Sequence, residues 1–182
     1  MSTTESTAVL AVRRWVDLMV VGLNLCPFAR TEVVNKRVHF VETEAQSEVQ
    51  LLEDLAAELT LLAETPSIET TLLVHPQVLK DFSAYNQFLD EVDVLLHGMH
   101  LDGEMQVASF HPDYQFAGTA PDDAENYTNR APYPVLHIIR EASIEDRLDS
   151  YPDAAAIPEK NIKLMNKMGR QQLQGLLARC SS

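Results

Sequence analysis

Between Val38 and Phe110, three short runs suited to β-strands alternate with two long stripes suited to helices. That alternation leaves few architectures open, because each helix must bury its apolar face on the sheet its flanking strands build. The runs are Val38-His39-Phe40-Val41, Thr70 to Val74 and Met105 to Phe110. Thr70 to Val74 is near-continuously apolar, as a buried parallel strand should be. Thr43 with Gln46 three residues on makes a capping-box signature, and Val49, Leu52, Leu55, Ala56, Leu59 and Leu62 share the helical face that follows, with Pro66 at its end. Phe82, Tyr85, Phe88, Leu89, Val92, Leu95, Leu96 and Met99 form the second stripe, which Asp81 would N-cap and which stops around Gly98 to Gly103. Two successive βαβ units with right-handed crossovers predict a short, mainly parallel sheet.

The flanks add helices. Val9, Val12, Trp15, Val16, Met19 and Leu23 recur at three- and four-residue steps, an amphipathic helix ending near Asn24 to Pro27. Ser143 with Asp146 opens a later helix, and Pro158 opens a final one running through Ile162, Met165, Met168 and Leu173. The expected fold is therefore α/β: a single domain over residues 1–182 with its core at about 8–170, a βαβαβ sheet, an N-terminal helix and C-terminal helices. A chain of 182 residues is long enough to bury a core without disulfides or metals. Pro134 to Ile139 is ambiguous between a helix with Pro in its first turn and a fourth strand.

Charge narrows the partners. The 14 basic and 27 acidic residues leave a formal charge of −13 and a pI near 4.7. Nucleic acid is excluded as an expected partner, since phosphate binding needs a basic footprint, and an anionic membrane is disfavoured on the same grounds. The acids are concentrated: residues 38–129 carry 18 of them against the single base Lys80, while each flank is +2. The cationic ends are expected to pack against the anionic middle. The polar stretch at the N-terminus lacks the pattern of a secretory signal, no run is long enough to span a membrane, and Cys26 and Cys180 have no paired spacing. A cytoplasmic protein with reduced thiols is the expectation, with its oligomeric state left open.

Two strands end in His-Pro: Leu73-Val74-His75-Pro76 and Ser109-Phe110-His111-Pro112. In a parallel sheet both ends lie on the carboxyl edge, where open α/β sheets bind ligands, and histidines on adjacent strands could share one small molecule. The alternative is that each His-Pro is a strand terminator with a hydrogen-bonded ring. The polar stretch His111 to Pro134 is long for a plain connection. It is dense in donors, acceptors and aromatics, and its Arg130 is the first base after Lys80. Arg130 could clamp an anion bidentately, or could pair with Asp122 or Asp123 as a structural ion pair. His137 and Arg140 would share a face if Pro134 onward is helical; in a strand they would point to opposite faces and only one could reach a ligand.

Gly22-Leu-Asn-Leu-Cys-Pro-Phe-Ala29, Leu73-Val-His-Pro76, Phe110-His-Pro-Asp-Tyr-Gln-Phe-Ala-Gly-Thr119 and Asn126-Tyr-Thr-Asn-Arg-Ala-Pro-Tyr-Pro134 resemble the bacterial family catalogued as domain of unknown function 1415. The likeness covers roughly residues 8 to 170, and it implies no catalytic residue that could be carried over. The segment Cys26-Pro27-Phe28-Ala29 also resembles the thiol segment of some glutathione-transferase-like proteins, where a helix N-terminus activates the sulfur. That context needs a strand before the Cys, whereas helical periodicity precedes this one.

Three functional readings follow. The first is an enzyme for a small anionic metabolite at the carboxyl edge, with His111, His75 and Cys26 as catalytic candidates and Tyr114, Gln115, Asn126, Arg130, His137 and Arg140 as ligand-binding ones. It requires a pocket where His111 and Arg130 converge. The second is a non-catalytic binding or regulatory module with an acidic partner surface. The third is a metal-dependent enzyme using His111, Asp113 and His137, a formal match to a two-histidine, one-carboxylate set. Neither a Gly-rich phosphate loop nor a nucleophile elbow is present, so no cofactor is expected.

Overall fold

The computed structural model describes residues 5–151 and 153–182, the side chains of 148–150 excepted. The part of the N-terminus expected to precede the core, Met1 to Thr4, lies outside the described residues. Four strands form one mixed sheet: β1 (Val38–Glu42), β2 (Thr70–Val74), β3 (Met105–Phe110) and β4 (Val135–Arg140), in the order β1-β2-β4-β3. Pairing of β1 with β2 is parallel, and β4 is antiparallel to both β2 and β3. The mainly parallel sheet is thus corrected to a mixed one. The ambiguous segment Pro134 to Ile139 is a strand, and it inserts between the two strands expected to be neighbours. Val135, Leu136 and Ile138 are fully buried there, so a central position satisfies both of its faces.

Helices α1 (Thr7–Trp15), α2 (Ala29–Val34), α3 (Glu48–Glu64), α4 (Phe82–Gly98), α5 (Glu141–Ser150), α6 (Ile157–Met168) and α7 (Arg170–Cys180) complete the chain. Side chains alternate across a strand, so each strand feeds two cores. Leu73, Leu136, Ile138 and Met105 pack under α3 and α4. Leu72, Val74, Val135 and Phe110 pack under α1, α6 and α7. The sheet is therefore a middle layer between two helical ones.

Local signals hold with shifts that have physical causes. Asp81 caps α4 as expected, its carboxylate accepting from the Ala84 N–H at 2.9 Å. The start of α3 moves from Thr43 to Ser47, whose hydroxyl takes the Gln50 N–H while the Gln50 side chain takes the Gln46 N–H. Thr43 is diverted, accepting instead from the Ala45 N–H two residues on. Val49 accordingly leaves the buried stripe at 66% exposure, and Leu51 replaces it. After Trp15 the first helix widens into π-type turns over Val16–Val21. The expected final helix is two, because Gly169 adopts φ +79° between α6 and α7, a conformation that ends a helix.

Flank cations do meet the acidic middle. Arg37 pairs with Glu69, and Arg170 with Asp122 at 2.8 Å. Among the described residues Arg140 does not pair with an acid; its guanidinium donates to the carbonyls of Leu62, Thr65 and Ile68 at the end of α3.

Candidate functional site

Because β1, β2 and β3 run in one direction, His75 and His111 do emerge on the same edge. They are not neighbours there. The start of β4 lies between them, with the Pro134 carbonyl taking the His75 N–H and Val135 opposite both Val74 and Phe110, so the strands are about 10 Å apart. Tyr85 of α4 fills the interval. Its ring stacks on His75 at 5.6 Å between centroids and meets His111 at 5.1 Å. The Tyr85 hydroxyl donates to the Val135 carbonyl at 2.7 Å and accepts the Phe110 N–H at 3.1 Å. A small ligand shared by the two histidines would occupy space that this tyrosine already fills.

Both histidines are fully buried. His111 donates from Nε2 to the Leu79 carbonyl and accepts the Asp113 N–H on Nδ1, so both ring nitrogens are committed to backbone. Desolvation lowers its pKa from the usual histidine value. His75 donates from Nδ1 to the Val78 carbonyl at 3.0 Å, and its Nε2 is buried without a partner. Burial drives its pKa down to about 4, so the ring is neutral through the ordinary range.

The loop after β3 is pinned by its own polar groups. Arg130 donates from Nε to the Tyr114 carbonyl and from its guanidinium end to the Pro121 carbonyl, and it lies over the Tyr127 ring at 4.7 Å. Gln115 donates to the Thr119 carbonyl. Asn126, fully buried, accepts from the Phe116 N–H and the Thr119 hydroxyl and donates to the Ala120 carbonyl. The Tyr114 ring packs against Phe82 and Phe116. Arg130 borders an open polar cleft together with Arg170 and Gln174, but His111 does not line it. The convergence of His111 and Arg130 on one pocket is therefore not found. Removing the central clasp by Asn126→Ala is expected to cost about 2 kcal/mol, since three groups lose a partner at once. Urea denaturation measures it; an unchanged midpoint would show that the loop does not depend on Asn126.

In the strand β4, His137 and Arg140 take opposite faces, as the strand alternative required. Arg140 caps α3. His137 faces the other layer, and there the structure opens an apolar cavity of about 330 Å³. The sheet is its floor: Thr70 and Leu72 from β2, His137 and Ile139 from β4, Ala108 and Phe110 from β3. Trp15, Val16 and Val20 from the first helix and its π-type turns, Cys26 and Phe28 from the following loop, Val33 from α2 and Ile144 from α5 make the remaining walls. The register explains the void. Leu72, His137 and Ala108 lie in one row across the sheet, and Ala108 leaves that row low where a larger residue would fill it.

Glu32, Glu69 and Arg147 are the charged residues that line the cavity. Glu32 is 5% exposed and pairs with Arg147 and, at 3.5 Å, with Arg37; Arg37 also pairs with Glu69. Trp15 is 1% exposed and its indole N–H is buried without a partner. Trp15 meets Phe110 edge-on at 5.1 Å, and Phe110 meets His137 at 6.0 Å. Cys26 carries a free, partly buried thiol.

The triad of His111, Asp113 and His137 is not assembled, because the two histidines lie on opposite faces of the sheet and His111 Nδ1 accepts the backbone N–H of Asp113. No cluster of three or more His, Cys, Asp or Glu positioned for a metal occurs among the described residues. None of the helices among them is long and apolar enough to cross a membrane. Of the residues read from sequence, His137 and Cys26 share the cavity; His75, His111, Tyr114, Gln115, Asn126, Arg130 and Arg140 do not line it. Trp15, Ala108 and Phe110 were not singled out. In sequence they are ordinary apolar positions, and only the strand register places them together.

The fold and cavity define an α/β protein whose mixed sheet carries a small apolar chamber beneath its N-terminal helical layer. The chain belongs to the family described as protein of unknown function (DUF1415), whose model matches residues 7–175. Neither a curated protein nor a solved structure matches it.

Proposed function

We propose that the protein binds a small, mainly apolar molecule in the cavity between the sheet and its N-terminal helical layer. The observation that carries this reading is the cavity itself: about 330 Å³, within the range of small-molecule sites and well above ordinary packing defects. Its walls are aliphatic and aromatic, with a few convergent polar groups, which is the usual make-up of such a site.

The anionic metabolite expected at the carboxyl edge is less well supported. His75 and His111 are buried against Tyr85 there, and Arg130 is engaged by carbonyls. Of the charged groups lining the cavity, Glu32 pairs with Arg147 and Arg37, and Glu69 pairs with Arg37. An anion would have to displace a carboxylate from its partner.

Trp15 is the single tryptophan of the chain and forms part of the cavity wall. Its emission therefore reports occupancy directly. Titration with a small aromatic hydrocarbon is expected to shift or quench that emission saturably and to raise the melting temperature by mass action. Ala108→Phe, which fills the low point of the floor, should abolish both responses while leaving the protein folded. Absence of a saturable response in the wild-type protein would refute the reading.

A further inference from the structure

The cavity floor holds one polar group whose proton is placed by its neighbours. His137 Nε2 lies 2.7 Å from the Thr70 hydroxyl oxygen, and that hydroxyl donates its own proton to the Ile138 carbonyl at 2.6 Å. A hydroxyl has one proton to give, so towards His137 it can only accept. The imidazole must then carry its proton on Nε2, which leaves Nδ1 as a lone-pair acceptor. His137 lines the cavity, and among the described residues Nδ1 has no protein hydrogen-bond partner. It is the acceptor that the ring can offer to an occupant of the chamber. Burial lowers the ring's pKa to about 4, so it stays neutral at physiological pH.

Resting on the reading that the cavity is a ligand site, we infer that His137 determines its specificity. Its Nδ1 accepts a hydrogen bond from a neutral hydroxyl or N–H on an otherwise apolar ligand, and it turns carboxylates away. A carboxylate offers lone pairs to a lone pair, and must also shed its hydration in an apolar chamber. A plain hydrocarbon of the same shape still enters, but it leaves Nδ1 without a partner, and a site built around a buried acceptor discriminates on that difference. The class of ligand is thus a compact phenol, alcohol or indole-like molecule.

Calorimetric titration of the full chain near neutral pH with naphthol, methylnaphthalene and naphthoate tests this. Naphthol is expected to bind about tenfold tighter than methylnaphthalene, as one net hydrogen bond would provide. Naphthoate should bind at least about a hundredfold more weakly than naphthol. His137→Phe should keep methylnaphthalene binding and lose the preference for naphthol. Thr70→Val, which removes the hydroxyl that sets the tautomer, should reduce that preference without closing the cavity. Nitrogen NMR of the wild-type protein needs no variant: the His137 ring should be protonated on Nε2, with the Nδ1 resonance moved by naphthol and not by methylnaphthalene. Equal affinity for naphthol and methylnaphthalene, or a preference that survives His137→Phe, overturns the role of His137 and leaves the cavity as a ligand site. Failure of all three compounds to bind overturns both.

Discussion

Between pH 6.5 and about 4 the folded state is expected to lose about 3 kcal/mol through His75 alone. The ring is fully buried, donates from Nδ1 to the Val78 carbonyl and has no partner at Nε2. In the unfolded chain it takes up a proton near the ordinary histidine value of 6.5, whereas the folded chain resists until about 4. Within that window only the unfolded state binds the proton, so falling pH draws molecules out of the fold. Above 6.5 the full stability is present, and below about 4 both states are protonated and His75 removes no more. His111 and His137 are lowered in the same direction by burial, so they deepen the loss. Urea denaturation at a series of pH values should show a slope in this window that His75→Gln flattens. An NMR titration of the imidazoles in the intact protein gives the same answer without a variant. A His75 ring that titrates near 6.5 in the folded protein would refute the account.

Arg140→Met is expected to destabilise the protein by about 2–4 kcal/mol. The Arg140 guanidinium gathers the Leu62, Thr65 and Ile68 carbonyls, which lie where α3 ends and the chain turns into β2. A helix end leaves its last carbonyls without intrahelical partners, and a cation there also opposes the negative end of the helix dipole. Methionine keeps the bulk but removes the cation's donor from all three, leaving the Leu62 and Thr65 carbonyls with only the N–H groups of Thr65 and Ile68. One terminal nitrogen, Nη2, makes all three contacts, so Arg140→Lys should recover only part of the loss because the lysine chain places its ammonium one bond short of that position. The melting midpoint measures the cost, and amide exchange should speed up at the end of α3 before it does elsewhere. A lysine variant as stable as the parent would mean that the contact does not depend on the reach of Nη2.

Much of the local structure was legible in the residues. The α4 stripe with its Asp81 cap and the strands at Val38, Thr70 and Met105 all lie where periodicity put them, because burial of one helix face or a short apolar run is a short-range pattern. Errors came where two local signals competed. Thr43 carries the capping signature, yet Ser47 takes the cap because the Thr43 hydroxyl is drawn back onto its own backbone. Pro134 to Ile139 carried both a helix-opening proline and a β-branched run, and only a vacancy between β2 and β3 decides between them. The candidate site was legible in part. His137 and Cys26 are polar or reactive residues in apolar stretches, so composition draws the eye to them. Trp15, Ala108 and Phe110 carry no such mark.

By itself the amino-acid order determined that this chain is α/β, acidic in its middle, with two long helices between strands. These properties follow from periodicity and charge along the chain, which act over a few residues. The tertiary structure alone decided the strand order, and with it everything about the site. Inserting β4 between β2 and β3 moved the two His-Pro ends apart and let Tyr85 fill the gap between them. The same insertion set Leu72, His137 and Ala108 in one row and left the chamber above it. Register is a relation between segments distant in sequence, set by the packing of both faces of the sheet at once.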